Sequence, residues 1–266
     1  MPDTGPLRGR FAELHDRGTF LMPNAWDVGS ARLLESLGFE AIATTSSGFA
    51  ATLGRHDQSV SREELIAHVA AICDAVGIPV SVDAEDGYAD DAVGLEETVD
   101  ALAGAGASGI SIEDYRPGHG LLDLATATER VGVYAERASR HGMTVTARAE
   151  NHLYGVADLD DTLDRLRSYA AAGANVVYAP GLVDVDQLGR VVDATEKPVN
   201  ALLLPGGPTV AELTEIGVRR LSTGGALAFV AYGAAARAAR ELQAKGTQTY
   251  AARALTVEER KKAFDG

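Results

Sequence analysis

Charged side chains end several apolar runs of this sequence. Such runs stop directly on Asp83, on Glu113 and on Arg148, and a fourth run leads into the turn Thr45–Gly48. In α/β enzymes, the carboxyl ends of parallel strands present the reacting groups at one edge of the sheet. We therefore expect these groups to converge. A set of acids with one arginine suits a divalent metal that holds an anionic substrate.

Three carboxylates fall within four residues, at Asp83, Glu85 and Asp86. Crowding like charges at a strand end is costly without a cation, and hard oxygen ligands suit Mg²⁺ or Mn²⁺. Glu113 ends the next strand, and adjacent strands lie about 4.8 Å apart. We predict that Asp83, Glu85 and Glu113 share a metal or its water shell. A solvated acidic loop is the alternative.

Arg148 is the cationic member of this set. A guanidinium at a barrel mouth can bind a carboxylate or a phosphonate through two parallel hydrogen bonds. Glu150, two residues further on, lies on the same side of an extended chain. We predict that Arg148 binds substrate, and an ion pair with Glu150 or Glu113 that only closes the barrel end is the alternative.

Further substrate contacts are predicted in the turn Ser46–Phe49, where Gly48 lets backbone N–H groups approach an anion closely. Asp57 follows in a polar stretch and is either an acid/base or a helix cap. Asn200, in the apolar run Val199–Leu202, is also predicted to bind substrate.

The elements that must position these residues form an alternating pattern. Helical stretches alternate with near-continuous apolar strands, which indicates a parallel sheet buried on both faces. Eight such units in about 250 residues predict one (β/α)₈ barrel domain over residues 1–266, with a doubly wound open sheet as the alternative. The predicted strands are Phe20–Met22, Ala41–Thr44, Val80–Asp83, Gly109–Glu113, Thr144–Arg148, Val176–Ala179, Val199–Leu202 and Arg219–Ser222.

Composition excludes several classes of protein. The net charge of −14 disfavours nucleic acid and anionic membranes as partners. The one cysteine, Cys73, rules out an intramolecular disulfide framework and is predicted to be core filler. The first 15 residues show no secretory signal, so we expect a cytoplasmic protein. The string Gly104–Gly109 matches a dinucleotide fingerprint, but it follows a helix and precedes a strand, so we interpret it as a turn.

The motifs in this order resemble the phosphoenolpyruvate mutase/isocitrate lyase superfamily. The markers are Pro23–Asp27, Thr45–Gly48, Leu53–Asp57, Asp83–Tyr88, Ile112–Asp114 and Ala147–Glu150. The resemblance implies a barrel whose last helix is swapped between the subunits of a homo-oligomer, a dimer or a tetramer. It also implies Mg²⁺ near Asp83, with Glu85 and Glu113 acting largely through water.

The same resemblance implies roles for individual residues. Ser47, Gly48 and Phe49 would contact the carboxylate or phosphonate of a 2-oxo acid, and Ser46 is included in this set. Asp57 would lie near the reacting centre, where Glu113 is also counted as catalytic, and Arg148 would clamp the substrate.

One loop departs from the family pattern. Isocitrate and methylisocitrate lyases carry a cysteine proton donor after the fourth strand, where this chain has Pro117. His119, Arg116 and Tyr115 remain candidate acids, and Tyr115–Leu122 is alternatively a mobile gate without a catalytic side chain.

We therefore expect a Mg²⁺-dependent lyase or hydrolase that cleaves a C–C bond next to a 2-oxo or 2-hydroxy acid through a metal-stabilised enolate. The substrate would be of the oxaloacetate or alkylmalate type. P–C bond chemistry on phosphonopyruvate- or carboxyphosphonoenolpyruvate-type substrates and a non-catalytic 2-oxo acid-binding barrel are the alternatives.

Overall fold

A computed structural model describes residues 4–265, in which strands and helices alternate along the chain. The strands are β1 (Phe20–Met22), β2 (Asn24–Ala25), β3 (Ile42–Thr44), β4 (Val80–Val82), β5 (Gly109–Glu113), β6 (Tyr115–Arg116), β7 (Gly120–Leu121), β8 (Thr144–Arg148), β9 (Val176–Tyr178), β10 (Val199–Leu202) and β11 (Arg220–Ser222). The helices are α1 (Gly5–Asp16), α2 (Val28–Ser36), α3 (Ser46–Thr52), α4 (Arg62–Ala75), α5 (Ala92–Gly104), α6 (Leu124–Arg140), α7 (Leu159–Ala171), α8 (Val185–Ala194), α9 (Val210–Glu215), α10 (Ala226–Lys245) and α11 (Val257–Phe264), with a 3₁₀ turn at Thr249–Arg253.

The main sheet is parallel and closes on itself. Its strand order is β1-β11-β10-β9-β8-β5-β4-β3-β2. Only Pro23 separates β1 from β2, so both edges of the sheet belong to one continuous segment. Proline has no N–H to donate, which explains the interruption at this position. The predicted barrel and its eight strands are confirmed, and the open-sheet alternative is wrong; the division of the first strand by Pro23 was not predicted.

Most of the core lies between the barrel wall and the surrounding helices. Outward-facing strand residues such as Val82, Ile110 and Val145 are buried in one cluster with Leu102 and Leu166 of the helices. Successive strand residues point to opposite faces, so the alternate positions face the barrel interior. The end of the barrel at the strand N-termini is covered by α1, whose Phe11 and Leu14 pack with Phe20, Met22, Ala41 and Ala43.

The glycine string is a turn, as predicted, whereas Cys73, predicted to be core filler, packs against the core and is only partly buried. Helix α5 ends at Gly104 and β5 begins at Gly109, so the string is a helix-to-strand turn. Cys73 is half-buried in α4 beside this turn, and burial raises the pKa of its thiol to about 12. A Cβ at Gly106 would lie 2.9 Å from the Cys73 Cβ, so close packing requires a glycine there.

The C-terminal part extends away from the barrel. Ala228 is the one buried residue of α10, and apolar side chains including Phe229 and Val230 are exposed. The chain then returns, and α11 packs against α2, where Arg32 Nη1 donates to the carbonyl oxygen of Phe264 at 3.3 Å. Exchange of α10 between subunits stays a prediction. Within residues 4–265, the helices all lack the length or the apolar character that crossing a bilayer requires.

Candidate active site

A cavity of about 160 Å³ opens at the carboxyl ends of the barrel strands. Six of the residues predicted for the site line it, namely Ser46, Ser47, Asp57, Asp83, Arg148 and Asn200. The predicted convergence of the strand ends therefore occurs. Gly48, Phe49, Glu85, Glu113 and His119 lie outside the lining.

Arg148 is held among three carboxylates. Its Nη1 lies 2.7 Å from Asp83 Oδ1, its Nη2 3.2 Å from Glu113 Oε2, and its Nε 2.7 Å from Glu150 Oε1. The guanidinium carbon also lies 5.5 Å from the centre of the Tyr178 ring. Burial alone would lower the pKa of Arg148, but the charges of Glu150, Glu113 and Asp83 raise it well above its usual value. The arginine is therefore fully charged and fixed in orientation.

Asp83 connects this group to the loop after β3. Its Oδ2 accepts a hydrogen bond from the Ser46 backbone N–H at 3.0 Å. Its own N–H donates to Thr44 Oγ1 at 2.9 Å. Asp83 therefore has a defined position at the first turn of α3, where the positive end of the helix dipole stabilises a carboxylate.

Glu85 and Glu113 are buried acids whose ionised forms are disfavoured by their surroundings. Burial, followed by the charges of Asp83 and Asp57, raises the pKa of Glu85 to about 8. Glu85 Oε1 is buried without a hydrogen-bond partner among the described residues, and Glu85 has a left-handed φ of 44°. Burial also raises the pKa of Glu113, although Arg148 opposes this shift. One arginine therefore does not neutralise this group of acids.

The residues of the turn after β3 face two different directions, some toward the cavity and some into the protein. Thr45 caps α3, and Ser46 and Ser47 line the cavity. Gly48 is instead packed tightly, because a Cβ there would lie 2.5 Å from Thr45 Cγ2 and 2.9 Å from Trp26 Cβ. Phe49 points away from the cavity and stacks on His68, with ring centres 3.7 Å apart.

Asp57 is exposed at the cavity mouth. The protein around it raises the pKa of its carboxyl group through desolvation, which outweighs a hydrogen bond with the Ser46 side chain. The next residue, Gln58, has a left-handed φ of 60° and donates from Nε2 to Tyr154 Oη at 3.1 Å. Asp57 therefore lies at the cavity mouth with a carboxyl group whose pKa is higher than that of an ordinary aspartate.

The loop predicted after β5 contains a short hairpin, β6–β7. Arg116 pairs with Asp86 at 2.9 Å and with Asp90 at 2.5 Å. Tyr115 stacks on Tyr154, with ring centres 3.5 Å apart. His119 is exposed at the hairpin turn, where its Nδ1 lies 3.3 Å from the carbonyl oxygen of Pro117.

A second group of buried residues supports the site from behind. Asp114 accepts hydrogen bonds from the Glu150 N–H at 2.8 Å and from Tyr169 Oη at 2.6 Å. It also pairs with Arg165 Nη1 at 3.0 Å. This network fixes the backbone that carries Glu150 and, through Glu150, the direction of Arg148.

In the deeper cavity, sequence reasoning predicted Asn200 but missed Arg220 and Ser222. Asn200 Oδ1 accepts from Arg220 Nε at 2.8 Å, and Asn200 Nδ2 donates to Ser222 Oγ at 3.0 Å. Arg220 and Ser222 lie two positions apart in β11 and face inward together. The available signal was a polar residue two positions before a strand-end charge, such as Thr146 before Arg148, because alternate residues of a strand share a face and both therefore point inward.

Comparison with known proteins agrees with this geometry. The sequence profile of the phosphoenolpyruvate phosphomutase family matches residues 11–243. An uncharacterized protein of Mycobacterium tuberculosis is 38% identical over 233 residues, which are 86% of this chain and 87% of that protein. An oxaloacetate decarboxylase of Bradyrhizobium sp. is 31% identical over 74% of this chain and 70% of its own length.

Solved structures give the same assignment. A Burkholderia cenocepacia protein described as a lyase/mutase superposes with a TM-score of 0.94 at 41% identity, covering 99% of this chain and 97% of that protein. The family match spans nearly the whole barrel together with the strand-end residues of the cavity, and the chain belongs to the phosphoenolpyruvate mutase/isocitrate lyase superfamily of lyases and mutases.

Proposed function

We propose that this protein is a Mg²⁺-dependent lyase or hydrolase that cleaves a C–C bond next to a 2-oxo or 2-hydroxy acid. The observation that carries the proposal is the fixed guanidinium of Arg148 beside Asp83 and Glu113 at an open cavity. The 31% identical oxaloacetate decarboxylase supports a substrate of the oxaloacetate or alkylmalate type.

The acids of the site fit a divalent cation. The raised pKa values of Glu85 and Glu113 and the unpartnered Oε1 of Glu85 indicate uncompensated negative potential. Within residues 4–265, no three His, Cys, Asp or Glu side chains are grouped so that all could ligate one ion. This favours Asp83 as the direct ligand, with Glu85 and Glu113 holding waters of the ion. When bound, the ion would stabilise negative charge that develops on the 2-oxo oxygen during bond cleavage.

Arg148 orients the substrate. A guanidinium has five N–H donors, and its three carboxylate contacts leave one N–H on each Nη for a ligand. Two such donors match the two oxygens of a carboxylate. Glu150 holds Nε, so the fork is directed at the cavity before the substrate arrives, which reduces the ordering cost on binding.

Proton transfer is assigned to Asp57. Because its pKa is raised, Asp57 keeps its proton to a higher pH than an ordinary aspartate does. It lines the cavity at the mouth. A group in that position can deliver a proton to the carbon released by cleavage. His119 remains the alternative donor only if the hairpin moves, since its ring lies outside the cavity lining.

We also propose a homo-oligomer in which α10 packs on a neighbouring subunit. Phe229, Val230 and Leu242 of this helix are each more than half exposed, at 53%, 63% and 53%. Covering these side chains would remove a large apolar surface from water. Light scattering on the purified protein distinguishes a monomer from the expected dimer or tetramer.

P–C bond chemistry is the second candidate, because the family profile is that of a phosphomutase and the Arg148 fork binds a phosphonate as well as a carboxylate. Release of inorganic phosphate from phosphonopyruvate would favour it.

The test is a product assay with Mg²⁺ over a panel of 2-oxo and 2-hydroxy diacids, detecting aldehydes and keto acids. We expect turnover of at least one diacid, and loss of both turnover and Mg²⁺ binding in Asp83→Asn, which keeps the side-chain size and removes the charge. Unchanged calorimetric Mg²⁺ affinity in a folded Asp83→Asn protein would refute the metal assignment. Ligand binding without turnover of any compound would support the alternative of a non-catalytic 2-oxo acid-binding barrel.

A further inference from the structure

Arg220 lies inside the barrel, below the site described above. The strand registers pair Arg148 with Tyr178, Tyr178 with Asn200, and Asn200 with Arg220. Register partners in parallel strands point to the same face, so this row follows the inner wall of the barrel from one arginine to the other. The next partner is Phe20, which packs on the α1 cover of the barrel floor. The row therefore runs from the mouth, at Arg148, to the floor, at Arg220.

Arg220 is a buried charge without an anionic partner. It is 3% exposed, and among residues 4–265 no Asp or Glu carboxylate forms an ion pair with it. Its three contacts are neutral groups, namely Asn200 Oδ1 at 2.8 Å, Thr146 Oγ1 at 2.8 Å and His15 Nε2 at 3.4 Å. Buried charges in proteins are normally paired, so this guanidinium lacks a counter-charge.

His15 is the neighbour of Arg220 on the α1 side. Its Nδ1 lies 2.9 Å from the Phe11 carbonyl oxygen, which can only accept, so Nδ1 carries the proton and Nε2 accepts from Arg220. Burial, followed by the charge of Arg220, lowers the pKa of His15 to about 3. The imidazole is therefore neutral at physiological pH, and neither of its protonation states supplies the negative charge that the arginine lacks.

The cavity connects the two arginines. Arg148 and Arg220 both line it, and between them the inner wall presents the hydroxyl groups of Ser81, Ser111 and Thr146. The interior of such a barrel is ordinarily filled with branched apolar side chains. Here the wall between the two arginines carries hydroxyl groups, which can donate hydrogen bonds to an anionic group of a ligand.

We propose that Arg220 is a specificity-determining residue that binds the second carboxylate of a dicarboxylic 2-oxo or 2-hydroxy acid. The inference rests on the proposed function, in which Arg148 and the metal site bind the first carboxylate. A guanidinium has five N–H donors, and the three contacts of Arg220 leave two for a ligand. A monocarboxylic acid would leave this charge unpaired, so the site would discriminate against it.

A purely structural role makes a different prediction. If Arg220 only connects α1 to the barrel through His15, its replacement would lower stability and leave ligand preference unchanged. Arg8 provides a matched control, because it donates to the carbonyl oxygens of Ala107, His141 and Ala103 and lies outside the active-site cavity.

The experiment compares malate with 2-hydroxybutyrate, which has the same four-carbon chain with a methyl group in place of the second carboxylate. Affinities of both acids are measured by calorimetry with Mg²⁺ for the unmodified protein, Arg220→Met and Arg8→Met. We expect the unmodified protein and Arg8→Met to prefer malate by at least tenfold. In Arg220→Met this ratio should fall to about one, with 2-hydroxybutyrate binding retained.

A malate preference that survives in folded Arg220→Met, or equal affinities in the unmodified protein, would overturn the assignment. Failure of both acids to bind the unmodified protein would contradict the proposed function and this inference with it. If Arg220→Met does not fold, a crystal structure of the unmodified protein with malate decides the question. The second carboxylate should then lie within hydrogen-bond distance of Arg220, and a carboxylate directed to solvent would refute the proposal.

Discussion

Replacing Arg148 by lysine separates the charge of this residue from its geometry. Arginine reaches Asp83, Glu113 and Glu150 with three different nitrogen atoms. Lysine keeps the positive charge but has a single nitrogen, so it can contact one or at most two of these carboxylates. The remaining acids stay buried without their hydrogen bonds.

The size of the effect follows from these contacts. A hydrogen bond to a charged group contributes about 1.5–3 kcal/mol. Loss of one or two of them should lower the free energy of unfolding by about 2–4 kcal/mol, since the charge that remains limits the penalty. Ligand binding loses the two-pronged contact as well. We expect oxalate or pyruvate to bind more weakly by about 1–3 kcal/mol, which is roughly 5- to 150-fold.

Two measurements and one control variant test this prediction. Urea denaturation reports stability, and calorimetry with oxalate and Mg²⁺ reports binding. Arg8→Lys is the control, because half-buried Arg8 also uses three different nitrogen atoms, which donate to the carbonyl oxygens of Ala107, His141 and Ala103, and because it does not line the cavity. This control should lose stability while keeping its affinity for oxalate.

The reasoning fails if Arg148→Lys binds oxalate as tightly as the unmodified protein, because Arg148 would then be an ion-pair partner and no part of the anion site. It also fails if Arg8→Lys weakens oxalate binding to the same degree, since the effect would then reflect a general loosening of the barrel.

Two further predictions concern titratable groups away from the cavity mouth. Alkylation with iodoacetamide at pH 7.5 should leave activity intact, because burial and the charge of Asp74 raise the pKa of the Cys73 thiol to about 12; inactivation of a protein that stays folded would show that Cys73 takes part in turnover. The pKa of His15 is lowered to about 3 in the folded protein, so below pH 6.5 the unfolded chain binds a proton that the folded chain does not. Stability should fall as pH drops, by about 2 kcal/mol from this group at pH 5, and urea titrations of His15→Gln at pH 7 and pH 5 should lack that part of the decrease.

The fold could be predicted from sequence because burial on both faces makes barrel strands stand out as apolar runs. The positions of Asp83, Glu113 and Arg148 could be predicted in the same way, because a charged residue that ends such an apolar run lies at the rim of the barrel. Arg220 could not be found in this way. It follows Arg219 within a basic pair, and nothing in one sequence says which of the two faces the interior.

Side-chain direction was the missing information for Phe49 and Gly48 as well. A turn of the type Ser-Ser-Gly-Phe is compatible with anion binding at all four positions. In the structure, the packing of Trp26 and His68 decides that Gly48 and Phe49 face the protein and that the two serines face the cavity. Such packing depends on residues distant in sequence and cannot be inferred from the turn itself.

The two faces of the barrel wall contribute differently to stability and to ligand binding. Apolar contacts run between the outer wall and the helices, whereas Ser81, Ser111 and Thr146 on the inner wall contribute little apolar burial. Substitutions at these three hydroxyl-bearing positions would therefore change which ligands the cavity accepts at small cost to folding. Relatives with this barrel could acquire new substrates by exchanging a few inward-facing residues, while the apolar core between the outer wall and the helices stays the same.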